Sequence, residues 1–106
     1  MENDFRIFNR NPVYLKVFIV EPILVSCIDK TLFADIYTYV QRVSPNITKS
    51  EVKEHLFYLV SSSFIDYNGK NKTYYISQNG IDLLDIVYSQ RNIREVDYSS
   101  LTLKVG

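Results

Sequence analysis

The first apolar stretch of the chain predicts a helix followed by a strand. Pro12, with an asparagine before it as N-cap, predicts the helix start, because proline is tolerated at the first helical position. Residues 13–20 are apolar on every side except at Lys16, and Pro22 is expected to end or kink this helix. The β-branched run at 23–28 then predicts a short strand.

Apolar residues at helical spacing predict a second, amphipathic helix over residues 32 to about 43, capped by Asp29 or Thr31. Its apolar face carries Phe33, Ile36, Tyr37 and Val40. Residues 44–46 have the sequence Ser-Pro-Asn, a cluster of helix-breaking residues. A tight turn is therefore expected there.

A third helix is predicted from residue 48 to about 61. Thr48 and Glu51 have the spacing of a capping box, in which each side chain accepts a hydrogen bond from the backbone N–H of the other residue. The core stripe of this helix consists of Val52, Leu56, Leu59 and Val60. The opposite face carries Lys49, Ser50, Lys53, Glu54 and Phe57.

A β-hairpin follows the third helix. Residues 64–67 and 73–76 predict two short strands. The tip between them, residues 68–72, contains two lysines and Gly69, which is expected to supply a positive φ.

The last helix is predicted over about 78–90, with Ser77 as its cap. This helix and the first one have wider apolar faces than a small domain needs, which predicts a second chain in a two-fold homodimer. The predicted dimer interface consists of Val13, Tyr14, Val17, Phe18, Leu84, Val87 and Tyr88. Alternatively, the N- and C-terminal segments cover these faces, and residues 92–106 form either an arm or an added strand.

Two segments of the chain resemble winged-helix regulators of the MarR, PadR and ArsR type. Residues 48–65 are similar to their recognition helix and the strand after it, with a polar cap, a valine, a His-Leu pair and a further leucine. The matching residues are Thr48, Val52, His55, Leu56, Leu59, Phe64 and Ile65. Residues 74–84 are similar to the strand-to-helix ending of these families, through Ile76, Ser77, Gly80, Leu83 and Leu84.

This resemblance covers about residues 11–90 and implies an α+β fold of the winged helix-turn-helix class. The implied architecture is a three-helix core, a two-stranded β wing and a C-terminal dimerisation helix. The whole chain, 1–106, is then a single domain with an N-terminal arm at 1–10 and a tail at 92–106. Small versions of this fold rich in Ile, Tyr and Lys are typical of archaea and their viruses, an analogy of composition alone.

The formal net charge is zero, so the chain is unlike proteins that coat DNA with positive charge. A local basic face is still compatible with DNA binding. The N-terminus lacks the pattern of a signal peptide, and charged residues and proline interrupt the longest apolar stretch. We therefore expect a protein of the cytoplasm, or of the host cytoplasm if it is viral, with no membrane contact.

The expected function is sequence-specific binding of double-stranded DNA by a transcription regulator that acts as a homodimer. The predicted recognition helix enters the major groove, and the hairpin tip contacts the backbone or the minor groove. The expected DNA-binding residues are Thr48, Lys49, Ser50, Lys53, Glu54, Phe57, Lys70, Asn71 and Lys72. Alternatively, this face is a solvated surface of a winged-helix module that binds protein and has no role in DNA binding.

No residue set for catalysis, for metal binding or for a cofactor is visible, so the protein is not expected to be an enzyme. His55 is the sole histidine and is expected to be a partly buried structural residue. Cys27 is the sole cysteine. It is expected to be a buried small side chain, with a disulfide to the same residue of a second chain as the alternative.

Overall fold

The computed structural model describes residues 12–93 and 97–105, which form four α-helices and five β-strands. The elements are β1 (Val13–Lys16), α1 (Val17–Ser26), β2 (Thr31–Leu32), α2 (Phe33–Val40), α3 (Lys49–Ser61), β3 (Ile65–Asn68), β4 (Thr73–Ile76), α4 (Gln78–Arg91) and β5 (Thr102–Val105), with a short 3-10 helix at Tyr98–Ser100. This is the α+β class expected from the sequence. The predicted N-terminal arm and the asparagine before Pro12 lie outside the described residues.

The strands form two small antiparallel sheets. In the first sheet the strand order is β2–β4–β3, and β3 and β4 are paired from Ile65 opposite Ile76 to Asn68 opposite Thr73. The second sheet pairs β1 with β5. Residues 102–105, within the segment for which the sequence left an arm or a strand open, therefore form a strand.

The first predicted helix starts too early and ends too early, and the strand predicted after it is wrong. Residues 13–16 form β1, and α1 continues through Pro22 into the segment predicted as a strand. Proline removes one hydrogen bond, to the carbonyl of Phe18 four residues earlier. Complete burial of Val20, Ile23 and Leu24 outweighs this loss and the low helix propensity of β-branched residues.

α1 is the central element of the domain. It packs against α2, α3, α4 and the 3-10 helix. A single chain therefore covers most of this largely apolar helix, in part with its C-terminal segment.

The predicted dimer-interface residues divide into three groups. Val17, Leu84 and Val87 are buried within the single chain and leave little surface for a partner. Val13 and Phe18 are half-buried. Tyr14 and Tyr88 are exposed, and the dimer stays a prediction.

α2 begins without a side-chain cap, so the predicted caps Asp29 and Thr31 are wrong. Thr31 instead pairs with Tyr74 in the first sheet, and α2 starts directly after this short strand. The helix ends at Val40 rather than near residue 43. Its apolar face is as predicted, with Ile36 fully buried and Phe33 half-buried.

α3 has the predicted capping box at its start. The Glu51 N–H donates to Thr48 Oγ1 at 3.1 Å, and the Thr48 N–H donates to Glu51 Oε1 at 3.2 Å. At its end Ser63 has a φ of 67°, and the Phe64 N–H donates to the Leu59 carbonyl at 2.9 Å. This geometry is a Schellman motif with serine at the left-handed position that glycine usually takes.

The start of α4 is held tightly against the first residues after α3. Ser77 caps the helix as predicted, accepting the Gly80 N–H at 3.1 Å. A Cβ atom on Gly80 would overlap the Phe64 carbonyl oxygen and lie 2.6 Å from Ile76 Cγ1. Glycine is therefore required here for close packing.

Among the helices of the described ranges, none combines the length and apolar character that crossing a membrane requires.

Candidate nucleic-acid interface

The exposed face of α3 carries the five polar and aromatic residues that the sequence assigned to it. Lys49, Ser50, Lys53, Glu54 and Phe57 are all exposed, and 64% of Phe57 is accessible. Of the predicted core stripe, three residues are buried and Val60 is half-buried. The buried and exposed faces of α3 are therefore the ones that the sequence predicted.

The two lysines of α3 lie over aromatic rings of α2. The Lys49 Nζ is 5.8 Å from the centre of the Tyr37 ring, and the Lys53 Nζ is 5.5 Å from the centre of the Phe33 ring. The two rings are nearly parallel, with an interplanar angle of 6°. These cation–π contacts restrict the lysine side chains, so less conformational entropy is lost when an anion binds.

The negative charge on α3 is partly engaged within the helix itself. Glu51 Oε1 accepts hydrogen bonds from the backbone and hydroxyl groups of Thr48, so this carboxylate is directed to the helix start. Within residues 12–93 and 97–105 the structure contains one ion pair, Glu21 with Arg91, which lies elsewhere. The lysines of α3 and the hairpin thus form no ion pair with a carboxylate in these ranges.

The hairpin tip is organised by Asn68. Its side-chain oxygen accepts the N–H groups of Lys70 at 2.9 Å and Asn71 at 3.2 Å. The residue of the tip with a positive φ is Lys72, at 57°. The prediction that Gly69 supplies the positive φ is therefore wrong. The turn is therefore closed by hydrogen bonds to the Asn68 side chain and not by a positive φ at Gly69.

An open groove of about 460 Å³ separates α3 from the hairpin, and we call it the aromatic groove. Its lining residues are Phe33, Leu56, Phe57, Val60, Tyr67 and Tyr74, with Lys53 and Lys72. Tyr67 and Tyr74 face each other across the hairpin, with ring centres 4.7 Å apart. Burial, with smaller effects of Tyr67 and Cys27, raises the pKa of Tyr74 above its ordinary value.

The aromatic groove unites some of the predicted site residues and not others. Lys53 and Phe57 of α3 meet Lys72 of the hairpin along it. The other six residues are exposed, at the start and outer face of α3 and at the hairpin tip. Sequence reasoning missed Phe33, Tyr67 and Tyr74. The two tyrosines share a face because Tyr67 pairs directly with Tyr74, a register that alternation within each strand does not give.

His55 has the structural role expected of it. It is 7% exposed, and its Nδ1 donates to the Glu51 carbonyl at 2.9 Å. Its Nε2 accepts the backbone N–H of Lys16 at 3.2 Å. These partners require the neutral tautomer with its proton on Nδ1, and they join α3 to β1.

Cys27 is fully buried, which agrees with the expectation of a buried small side chain. Burial raises the pKa of its thiol to about 12, so the unreactive protonated form is present at neutral pH. A disulfide with a second chain would require the sulfur at the surface, which this position does not offer.

A charged cluster that the sequence did not reveal joins α1 to the C-terminal segment. Glu21 is 8% exposed and accepts hydrogen bonds from Arg91 Nη1 at 2.7 Å and from the Tyr98 hydroxyl. Burial and the bond to Glu21 raise the pKa of Tyr98 above its ordinary value. The partners lie 70 and 77 residues from Glu21, so no local pattern indicates the cluster.

Comparisons of the chain with family models, with curated proteins and with solved structures found no significant match. The resemblance to MarR, PadR and ArsR regulators stays a prediction from the sequence.

Proposed function

We propose that the protein is a winged helix-turn-helix regulator that binds double-stranded DNA, with α3 as recognition helix and the β3–β4 hairpin as wing. The element order from α1 to β4 supports this proposal, as does the strand order β2–β4–β3, in which a short strand between α1 and α2 joins the hairpin. In this class the recognition helix enters the major groove and the wing lies on the neighbouring backbone.

One observation carries the proposal: the exposed face of α3 and the basic hairpin lie on either side of one groove. A duplex that accepts α3 in its major groove would bring phosphates towards Lys70 and Lys72. Lys49 and Lys53 would meet base edges or nearby phosphates, and Phe57 would contact a thymine methyl group.

A homodimer on a roughly palindromic site is the second part of the proposal. α4 keeps apolar side chains at the surface, with Ile81 42%, Ile86 58% and Tyr88 41% exposed. Two copies joined through this helix would place their recognition helices about one turn of DNA apart. We propose that the protein acts in the cytoplasm, or in the host cytoplasm if it is viral.

A winged-helix module that binds protein is the second candidate. The observation that favours it is the exposure of two aromatic residues beside the basic groups, Phe57 and Tyr67. Such rings are typical of protein interfaces as well as of nucleic-acid contacts.

Fluorescence anisotropy with short labelled duplexes tests the DNA-binding proposal. Lys53→Ala should change the preference among duplex sequences, because this exposed side chain of α3 is placed to contact base edges in the major groove. Lys104→Ala is the matched control, since Lys104 is an exposed lysine on β5, outside both α3 and the hairpin. Equal effects of the two changes would contradict recognition through α3.

A further inference from the structure

The aromatic groove combines exposed rings with positive charge in a way that duplex binding alone does not require. Phe57 is 64% and Tyr67 is 46% exposed, although burial of such rings is normally favourable. Phe33 and Tyr74 add two half-buried rings to the same groove. Clustered apolar surface of this kind typically marks a binding site.

The charge of the groove indicates an anionic partner. Lys53 lies on its α3 side and Lys72 on its hairpin side. The ion pair between Glu21 and Arg91, the one found in the described ranges, involves neither lysine. A ligand of this groove should therefore present a flat apolar body flanked by negative charge.

We infer that the aromatic groove binds an unpaired nucleotide of single-stranded DNA, with the base against Phe57 and Tyr67 and the flanking phosphates near Lys53 and Lys72. Rings and lysines that alternate along a groove are the usual design for single strands, since every base has a face that stacks. This inference rests on the proposed DNA-binding function and adds to it a preference for DNA that is locally unpaired.

A fully paired duplex cannot use the groove in this way. Its bases are stacked on their neighbours and present only their edges in the major and minor grooves. A base must leave the stack before it can contact the ring of Tyr67. The groove volume of about 460 Å³ lies within the range of small-molecule sites, large enough for one base with its sugar.

Thymine suits the groove better than uracil does. Leu56 and Val60 supply aliphatic surface next to the rings, and the thymine methyl group gains from apolar contact. Oligothymidine is therefore expected to bind more tightly than oligouridine.

The test is fluorescence anisotropy with labelled oligothymidine of about 12 nucleotides and, separately, with a fully paired duplex. Tyr67→Ala should weaken oligothymidine binding roughly 5-fold to 150-fold, the usual effect of removing one stacking ring. Tyr75→Ala is the matched control, because Tyr75 is also 46% exposed and alternates onto the opposite face of the same hairpin. Tyr67→Phe keeps the ring and should retain wild-type binding.

The two probes separate the inference from the proposed function. Duplex binding without oligothymidine binding, or equal effects of Tyr67→Ala and Tyr75→Ala on oligothymidine, would overturn the inference and leave the proposed function standing. Tighter binding of oligouridine would also overturn it. Thermal melting of each variant shows whether it is folded, and photocrosslinking of 5-iodouracil-substituted oligothymidine should label Phe57 or Tyr67 in the wild type.

Discussion

Replacing Gly80 by alanine should destabilise the protein by about 2 to 4 kcal/mol, although alanine is the better helix former by about 1 kcal/mol. The new Cβ would overlap the carbonyl oxygen of Phe64 and lie 2.6 Å from Ile76 Cγ1. The nearest obstacle is backbone, which cannot rotate away as a side chain can.

Relief of this overlap requires α4 to move away from the start of β3. That movement breaks the hydrogen bond from the Ser77 N–H to the Phe64 carbonyl, now 3.1 Å long. It also breaks the bond from the Ser77 hydroxyl to the Ser63 carbonyl, now 2.7 Å long. Two lost bonds at about 1 kcal/mol each and overpacking of about 1 to 3 kcal/mol oppose the gain of about 1 kcal/mol in helix propensity, which leaves the expected net loss.

The assay is urea denaturation followed by circular dichroism. Gly69→Ala is the matched control, because its Cβ would meet only the Tyr67 ring, at an ordinary 3.6 Å. This change should alter the free energy of unfolding by less than about 1 kcal/mol. An unfolding free energy of Gly80→Ala equal to or above that of the wild type would refute the packing argument.

Three further changes test other parts of the structure. Ser63→Gly should raise the free energy of unfolding by about 1 kcal/mol, because the residue is left-handed; a lower urea midpoint would contradict this. Arg91→Ala should lower it by about 1 to 3 kcal/mol, because a carboxylate with 10% exposure loses its charge partner. Arg42→Ala, which removes an exposed arginine beside a tyrosine ring, should have a smaller effect in the same urea denaturation. Lys70→Ala with Lys72→Ala should weaken all duplexes about equally and reduce the slope of log K against log salt by roughly 2; an unchanged slope would remove the hairpin from the interface.

The second half of the chain was predictable because its signals are local. Thr48 and Glu51 are three residues apart and satisfy each other's backbone groups, whatever the rest of the fold does. Ser77 caps α4 in the same way. Capping therefore fixes the starts of both helices, and the lysines and Phe57 on α3 follow from helical periodicity.

The segment from residue 13 to residue 28 was not predictable, because α1 depends on contacts that the sequence pattern does not contain. A helix with Pro22 at its centre persists only when neighbouring elements bury it on all sides. One of the neighbours is the segment around Tyr98, far away in the chain. The aromatic groove was missed for a similar reason, since Phe33 comes from α2 and Lys72 from the hairpin.

Selection from a library of random duplexes tests the central claim, DNA binding through α3 and the hairpin, most directly. We expect wild-type protein to enrich a roughly palindromic motif with half-sites about one helical turn apart. The triple variant Lys53→Ala, Lys70→Ala and Lys72→Ala should enrich none under the same conditions. Failure of the wild type to enrich any motif, even at low salt, would contradict the account and favour the protein-binding alternative.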